Sequence, residues 1–250
     1  MTISSHHNRK LKEIRKLRQR RRWRERAGQF VAEGEDLLAA ADAAGWEPVE
    51  RYVAAGSGLP GVEVEAGLLA SASGLASGTR ALAVYEERWI EAPAGPLCVY
   101  LHGLADPGNV GAILRSTHAF GASSVALGPG AADPFSPKAV RASMGAVFAV
   151  PLARVGDLDA LPGVKIALVA GEGTPLAEVS SNVDAERPDL ATLRPPVDIT
   201  LLVGGERIGL PRELIEQADR IAHIPIATDS LNAAMAATVA LYELTRMAAG

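Results

Sequence analysis

The sequence has almost no cysteine and few histidines, so covalent or metal cross-links can contribute little to its stability. Its one cysteine, Cys98, lies in an apolar run and can form no disulfide within the chain. The five histidines lack the spacing of a zinc site, so we expect no metal. With 48% apolar and 22% charged residues, the composition is typical of a globular protein held by a hydrophobic core.

Long apolar runs are also absent. No stretch of about eighteen apolar residues could form a membrane helix, and residues 1–10 lack the apolar core of a signal peptide. We therefore expect a cytoplasmic protein with no membrane partner. A chain of 250 residues is long enough for one large domain or two modest ones.

Charge is distributed unevenly along the chain. The net charge is −4, yet residues 9–26 hold eleven basic and two acidic side chains, a local charge of +9 against −13 elsewhere. So many cations on one short element repel each other unless phosphates neutralise them, which favours a nucleic-acid contact. The alternative is a solvated helix that packs by a narrow stripe of Leu11, Ile14 and Leu17. The predicted nucleic-acid contacts are Arg15, Lys16, Arg18, Arg20, Arg21 and Arg22.

Residues 1–90 are predicted to form a small α/β unit. Strands are expected at residues 29–33, 49–54, 62–65 and 81–86, with Gly/Ser-rich turns between them, and a helix at residues 35–44. The Pro- and Gly-rich residues 91–96 have the composition of a linker.

Residues 97–250 alternate regularly between apolar strands and helices. The predicted strands are residues 97–102, 124–127, 147–152, 165–170, 199–203 and 221–224. Predicted helices include residues 109–120, one capped by Ser136 and one beginning at Pro211. This order favours a largely parallel sheet covered on both faces, with a ligand beyond the carboxyl ends of its strands. Residues 176–198 cannot be placed.

Three polar segments each end a strand and open a helix. In Asp-Pro-Gly-Asn-Val-Gly-Ala-Ile-Leu-Arg, Asn109 is expected at the helix cap and Arg115 on an otherwise apolar helix. In Val-Gly-Gly-Glu-Arg-Ile-Gly-Leu, Glu206 is placed to anchor a loop or partner. In Ser-Leu-Asn, Ser230 is expected to cap a helix so apolar that it must be buried against a sheet or a second subunit. Taken singly, each could be a structural turn.

Together, in this order and spacing, the segments resemble the three motifs of the SpoU (TrmH-like) RNA 2′-O-methyltransferases of the SPOUT superfamily. The resemblance covers residue 97 to the C-terminus, including the segment Lys-Ala-Val-Arg-Ala-Ser-Met-Gly-Ala at residues 138–146. The first ninety residues are similar to the small substrate-binding domain that many members carry, including the run Phe-Val-Ala-Glu-Gly-Glu-Asp-Leu-Leu. Arg207 departs from the family pattern, which usually has glycine there.

The resemblance implies an α/β protein with a C-terminal SPOUT-type knotted parallel-sheet domain, residues 97–250, and a smaller RNA substrate-binding domain. It implies S-adenosylmethionine held in a trefoil knot, a homodimer, and an RNA substrate. Ribosomal RNA is expected; the alternatives are tRNA or a catalytically silent RNA-binding homologue. The residues matched to cofactor contacts are Gly204, Ile224 and Leu231. Those matched to the catalytic signature are Asn109, Arg115, Glu206, Ser230 and Asn232.

The implied reaction is attack by a ribose 2′-hydroxyl on the sulfonium methyl group of the cofactor. The family role of Arg115 as general base conflicts with the permanent protonation of a guanidinium, so we leave open whether Arg115 takes the proton or fixes a phosphate. A dinucleotide-binding enzyme is the other reading, but no G-x-G-x-x-G opens a helix here.

Overall fold

The structure, a computed structural model, describes residues 2–74, 78–179 and 198–248. No helix in these parts of the chain is long and apolar enough to cross a membrane. The same parts contain no group of three or more His, Cys, Asp or Glu side chains that could hold a metal ion. Residues 180–197, most of the segment that could not be placed from the sequence, lie outside the described residues.

Strands and helices alternate along most of the described chain. The strands are β1 (Gln29–Glu33), β2 (Glu50–Ala54), β3 (Val62–Val64), β4 (Ala81–Glu86), β5 (Leu97–His102), β6 (Ser124–Leu127), β7 (Leu152–Arg154), β8 (Val164–Leu168), β9 (Thr174–Pro175), β10 (Ile199–Gly204) and β11 (Arg220–His223). The helices are α1 (Arg9–Gln19), α2 (Arg21–Ala27), α3 (Glu35–Ala43), α4 (Ala66–Ala72), α5 (Pro107–Ala119), α6 (Pro137–Ser143), α7 (Ala146–Ala149), α8 (Leu176–Val179), α9 (Arg212–Gln217) and α10 (Ala233–Ala248).

Contacts divide the chain into two compact units, and each unit is made of two separate stretches of the sequence. Unit 1 comprises residues 1–88 and 133–149, and unit 2 comprises residues 89–132 and 150–250. The predicted linker, residues 91–96, lies just inside unit 2. Helices α6 and α7, which the sequence placed in the C-terminal domain, group with unit 1. The chain therefore crosses between the units three times.

Unit 1 is built on a four-stranded sheet of order β1-β4-β2-β3. Its pairs are antiparallel except for the parallel pair β2–β3. Helix α1 packs into the core of this unit through Leu11, Ile14 and Leu17, which are 0%, 1% and 6% exposed, so the predicted apolar stripe is confirmed. The basic residues 9–26 do not form one continuous helix, because the extended backbone of Arg20 separates α1 from α2.

Residues 133–149 join unit 1 through buried contacts. Arg24 pairs with Asp133 at 2.7 Å, and the two side chains are 5% and 11% exposed. The indole N–H of Trp46 donates to the carbonyl oxygen of Phe148 at 2.8 Å. The rings of Phe30 and Phe135, both fully buried, lie 4.7 Å apart between centroids. These contacts make the segment part of the hydrophobic core of unit 1.

The strand predicted at residues 147–152 is wrong. The chain there forms the short helix α7 and then β7, which begins at Leu152. The apolar residues Val147 and Phe148 are buried in this helical turn. A short apolar run fits a buried helix as well as a buried strand, so periodicity alone could not separate the two. Helix α4 was also missed, in a stretch that was expected to form turns.

Unit 2 contains a seven-stranded sheet of order β7-β6-β5-β10-β8-β11-β9. Every described pair in it is parallel. The predicted mixed α/β class, with a parallel C-terminal sheet and a smaller N-terminal unit, is confirmed. Strand β10 lies between β5 and β8, and Gly204 is paired with His102. The carboxyl ends of β5 and β10 are therefore adjacent, and the three polar segments follow these strands and β11. The trefoil knot stays a prediction.

Candidate functional site

A cleft of about 900 Å³ opens at the carboxyl ends of β5 and β10. Its walls come from the end of β5 and the loop after it, the start of α5, the loop after β10, and the residue that precedes α10. The side chains of Asn109, Glu206 and Asn232 all line it. In parallel sheets such a crevice is the usual ligand position, so the cleft is where the sequence pattern predicted a site.

A chain of hydrogen bonds links three predicted catalytic residues in this cleft. The side-chain amide of Asn109 donates to Glu206, and that of Asn232 donates to the Oδ1 atom of Asn109 at 3.2 Å. Because a carboxylate can only accept, Asn109 must present its NH₂ to Glu206 and its oxygen to Asn232. The orientation of each amide is therefore fixed by its partner.

The helix caps differ from the predicted ones by two or three residues. Helix α5 is capped by Asp106, whose carboxylate accepts from the backbone N–H of Gly108 at 2.8 Å, and Pro107 is the first helical residue. Helix α10 is capped by Asn232, whose Oδ1 accepts from the backbone N–H groups of Ala234 and Met235 at 3.0 and 3.3 Å. The caps predicted at Asn109 and Ser230 are therefore wrong. Asn109 lies in the first turn of α5, where its side chain is free to join the cleft.

A second, narrower cleft lies on the other side of the loop after β10. It has a volume of about 310 Å³, within the range of roughly 300–1,000 Å³ that is usual for small-ligand sites. Gly204, Ile224 and Leu231, the three residues matched to cofactor contacts, all line it, together with Ser230. The structure thus brings together all three segments at one pair of clefts.

The loop at residues 205–209 separates the two clefts and lines both. It is a tight turn, closed by a backbone hydrogen bond of 2.9 Å from Gly209 to Gly205. A Cβ atom at Gly205 would lie 2.2 Å from the carbonyl oxygen of Gly103, and one at Gly204 would lie 2.2 Å from the backbone carbon of Gly209. Both positions require glycine because the backbone itself occupies the space. Arg207 is exposed at the tip of the turn.

Arg115 is the one predicted catalytic residue that lines neither cleft. A helix turns by about 100° per residue, so six residues separate Arg115 from Asn109 by about 120° around α5. Arg115 is accordingly exposed on another face of this helix. Ser116, seven residues after Asn109, bonds instead to Thr238 of α10 at 2.6 Å.

Some cations of the N-terminal segment form ion pairs with other residues of the chain, and others do not. Arg18, a predicted nucleic-acid contact, pairs with the buried Glu33 and donates to the carbonyl oxygen of Ala72 at 2.7 Å, so its charge is already compensated within the chain. Arg21 pairs with Glu25 at 2.8 Å. The exposed cations without an ion pair to another described residue include Lys12, Arg20 and Arg22.

An aromatic ring lies among these cations. The ammonium nitrogen of Lys16 is 4.5 Å from the ring centre of Trp23, and the guanidinium carbon of Arg26 is 5.7 Å from it. Arg15 donates to the backbone oxygen of His6 at 3.5 Å and to the hydroxyl of Ser71 at 3.4 Å.

The wider cleft also contains a histidine that was not predicted from the sequence. His102, the last residue of β5, lines it beside Asn109 and Glu206. Burial lowers the pKa of His102 below the ordinary value of 6.5. The available signal was its position, at the end of a buried strand and four residues before Asp106. Cys98, by contrast, is fully buried in the core, and burial raises the pKa of its thiol.

Comparison with known proteins assigns the family. A family model described as the SpoU rRNA methylase family matches residues 96–242, more than half of the chain. The chain belongs to this family. A second model, described as an MRM3-like substrate binding domain, matches residues 8–87 of this SpoU-family chain.

Relatives of this SpoU-family chain act on ribosomal RNA. It is 36% identical over 143 residues to the 23S rRNA (uridine(2479)-2′-O)-methyltransferase of Streptomyces viridochromogenes, covering 56% of this chain and 49% of that protein. It is 31% identical over 153 residues to the 23S rRNA (guanosine(2553)-2′-O)-methyltransferase RlmP of Bacillus subtilis, covering 58% and 56%. The chain spans about half the length of the curated relatives it matches.

Solved structures agree over nearly the whole SpoU-family chain. An AdoMet-bound rRNA methyltransferase from Sinorhizobium meliloti superimposes with a TM-score of 0.84 at 29% identity, covering 98% of this chain and 97% of that one.

Proposed function

We propose that this chain is an RNA 2′-O-methyltransferase that uses S-adenosylmethionine and acts on ribosomal RNA. One observation carries the proposal: three segments far apart in the chain meet at two adjacent clefts that share the loop at residues 205–209. The relatives named as 23S rRNA 2′-O-methyltransferases support the same reaction and favour ribosomal RNA over tRNA.

The narrower cleft suits S-adenosylmethionine. Its walls include Val203, Ile224 and Leu231, which offer apolar surface to an adenine ring. The ends of β8 and β10 also line it, so the backbone of these strand ends lies at the cleft. Ser230 places a hydroxyl at the same cleft. When bound, this group supplies an electrophilic methyl carbon on a sulfonium.

The wider cleft suits the ribose. Asn109 is held between Glu206 and Asn232, so its amide is oriented before any substrate binds. Such preorganisation matters because transfer to a hydroxyl depends on in-line positioning of the reacting oxygen. A volume of about 900 Å³ leaves room for a nucleotide beside these side chains.

The basic segment is proposed to hold the rest of the RNA. Arg20, Arg22 and Lys12 are exposed and without an ion pair to another described residue, so they are free to neutralise phosphates. The ring of Trp23 offers a surface on which an unpaired base could stack.

A homodimer through α5 and α10 completes the proposal. Met235, Val239 and Tyr242 are 62%, 42% and 53% exposed, and their spacing of four and three residues puts them on one face of α10. Arg115 is exposed on the adjacent α5 and lines neither cleft of its own chain. A second copy docked on this face would cover the apolar stripe and bring Arg115 to a site on the partner. The knot and a cytoplasmic location stay predictions.

Calorimetry and methyl incorporation test the activity. The purified protein should bind S-adenosylmethionine, and Leu231→Asp should weaken binding at least tenfold by placing a carboxylate in the apolar wall. Val49→Asp, at an exposed position of unit 1, is the matched control. Labelled methyl groups should enter ribosomal RNA in preference to tRNA. Absence of binding by the folded wild-type protein would contradict the proposal.

Sedimentation tests the dimer. The wild-type protein should sediment as a dimer at micromolar concentration, and the double variant Met235→Glu, Val239→Glu should sediment as a folded monomer. Ile208→Glu, at a position 89% exposed outside this face, should stay dimeric. A monomeric wild-type protein would rule the dimer out.

A further inference from the structure

The tip of the loop at residues 205–209 carries two side chains that the proposed function has not used. Arg207 and Ile208 line both the wider and the narrower cleft. Ile208 is 89% exposed, more than any other large apolar side chain among the described residues. Single exposed apolar residues are common on protein surfaces and need no function. Ile208 differs from them because it lines a cleft large enough for a ligand.

The stem of this loop holds the tip in one place. The backbone N–H of Gly209 donates to the carbonyl oxygen of Gly205 at 2.9 Å, and the positive φ of Gly209, +69°, closes the turn. The backbone at Gly204 and Gly205 approaches neighbouring backbone so closely that no Cβ atom would fit. The χ1 angle of a β-branched side chain is also stiff. Ile208 therefore loses little conformational freedom when a ligand covers it.

The charges at the clefts leave one place for a phosphate. The acidic side chains of the wider cleft are Asp106 and Glu206, and burial lowers the pKa of His102 below 6.5, so its ring is neutral at pH 7. Among the described residues, Arg207 is the one cation that lines either cleft. It forms no ion pair or hydrogen bond with another described residue. An RNA strand carries a phosphate at every nucleotide, and two carboxylates repel it unless a cation balances them.

The wider cleft offers few apolar side chains to a base. Apart from glycines, its apolar residues are Ala105, Pro107, Ile208 and Pro211, of which Ile208 is the largest. A nucleobase presents a flat face, and placing that face on an exposed isoleucine removes apolar surface from water. Ile208 is thus the main apolar contact available to a base in this cleft.

We infer that Arg207 and Ile208 hold the substrate nucleotide in the wider cleft, Arg207 by pairing with a phosphate beside the reacting ribose and Ile208 by covering one face of the base. The inference rests on the proposed function, which places the ribose at Asn109 and leaves the phosphate and base of that nucleotide without a contact. Consecutive Cα atoms lie about 3.8 Å apart, so one nucleotide can reach both side chains. The glycine that is usual at position 207 in the family pattern has no side chain for this contact. The contact is therefore a feature of this chain.

RNA binding and kinetics of charge variants test the phosphate contact, with in vitro transcribed, unmethylated ribosomal RNA as the probe. Arg207→Gln should raise the KM for RNA about tenfold. It should also flatten the slope of log RNA affinity against log salt concentration by about 0.7–0.9, the value of one phosphate contact. Arg207→Lys should restore the slope, because an ammonium group also pairs with a phosphate. Arg212→Gln, at an exposed cation that lines neither cleft, is the matched control and should change neither quantity.

The same measurements on apolar variants test the base contact. Ile208→Ser should raise the KM for RNA roughly three- to tenfold and leave the salt slope unchanged, because it removes apolar surface and no charge. Ile208→Val should recover most of the affinity. Val49→Ser, at an exposed apolar position of unit 1, is the matched control. In every variant, kcat at saturating RNA and the affinity for S-adenosylmethionine should match the wild-type values, since these contacts bind the substrate without acting on the reacting atoms.

Four results would overturn the inference and leave the proposed function standing. An unchanged salt slope in folded Arg207→Gln would exclude the phosphate contact, and a wild-type KM in Ile208→Ser would exclude the base contact. Weaker binding of S-adenosylmethionine by Ile208→Ser would place the tip at the cofactor instead, and a changed oligomeric state would place it between two copies of the chain. A folded wild-type protein that transfers no methyl group to RNA would overturn the proposed function and the inference together.

Discussion

Asn232 has two separable tasks, and two substitutions can distinguish them. Its Oδ1 caps α10 by accepting from Ala234 and Met235, and its Nδ2 donates to Asn109 at 3.2 Å. Asn232→Ala loses both contacts, whereas Asn232→Asp keeps an acceptor at the helix start but loses the donor. Losing a cap costs about 1 kcal/mol of stability. A carboxylate at a helix N-terminus gains roughly 0.3–1 kcal/mol, which the nearby Glu206 offsets.

We expect the two variants to differ from each other in stability but to lose a similar part of the rate. The free energy of unfolding should fall by about 1 kcal/mol in Asn232→Ala and stay within about 0.5 kcal/mol of wild type in Asn232→Asp. In both, kcat should fall roughly two- to tenfold, the value of one hydrogen bond worth about 0.5–1.5 kcal/mol. Urea unfolding followed by circular dichroism and single-turnover methyl transfer measure the two quantities.

A cap in the other unit provides the control. Asn8 caps α1 through a hydrogen bond of 2.9 Å from the backbone N–H of Lys10. Asn8→Ala should cost a similar stability and leave kcat unchanged. Equal destabilisation of Asn232→Ala and Asn232→Asp would refute the capping role, and wild-type kcat in Asn232→Asp would refute the role of the bond to Asn109.

Three further predictions follow from the site and the basic segment. Gly205→Ala should lower the free energy of unfolding by about 1–3 kcal/mol and weaken cofactor binding, because its Cβ atom would meet backbone. Gly156→Ala, which has open space around it, should change neither quantity. Thermal melts and calorimetry measure the two effects. Arg115→Ala should keep cofactor affinity and lose most methyl transfer, and Arg115→Lys should not restore it because an ammonium cannot replace a planar fork; full activity of either would exclude the role. Replacing three free cations by glutamine should flatten the slope of log RNA affinity against log salt concentration by about 2–3. An unaltered slope would contradict the proposal that the basic segment binds RNA phosphates. The replaced cations are Lys12, Arg20 and Arg22. The matched control replaces Arg80, Arg212 and Arg246.

The structure also shows which variants would be poor tests. Deleting residues 1–26 would remove Leu11, Ile14 and Leu17 from the core of unit 1, so substitution of surface cations is the cleaner experiment. Gly204→Val is a poor test of the cofactor cleft, because its first added atom would meet the backbone of Gly209. Leu231→Asp changes the cleft wall without this collision.

Local patterns were enough to predict much of the fold. The bounds of β1, β4, β5 and β6 match the predicted ones residue for residue. Ser136 caps α6 as expected, since a serine followed by proline is a strong start signal. The same signal is present at Asp106-Pro107, and it outweighs Asn109 as the start of α5. All the predicted catalytic and cofactor-binding residues except Arg115 line the two clefts, because strand ends of a parallel sheet converge.

What could not be predicted depends on contacts between distant residues. Asp133 and Phe148 meet partners that are 109 and 102 residues away in the sequence, so no periodicity could place residues 133–149 in unit 1. The place of His102 in the wider cleft was hidden for a similar reason. A histidine at the end of a strand is unremarkable until the sheet order puts it beside Gly204 and the loop that carries Glu206.

The position of the transferred methyl group tests the central claim most directly. Ribosomal RNA incubated with the protein and labelled S-adenosylmethionine can be digested to nucleosides and analysed by mass spectrometry. We predict that the label resides on the ribose of a single nucleotide, as a 2′-O-methyl group, and is lost with Asn109→Ala. Label on a base, or no label from a folded protein that binds the cofactor, would contradict the account.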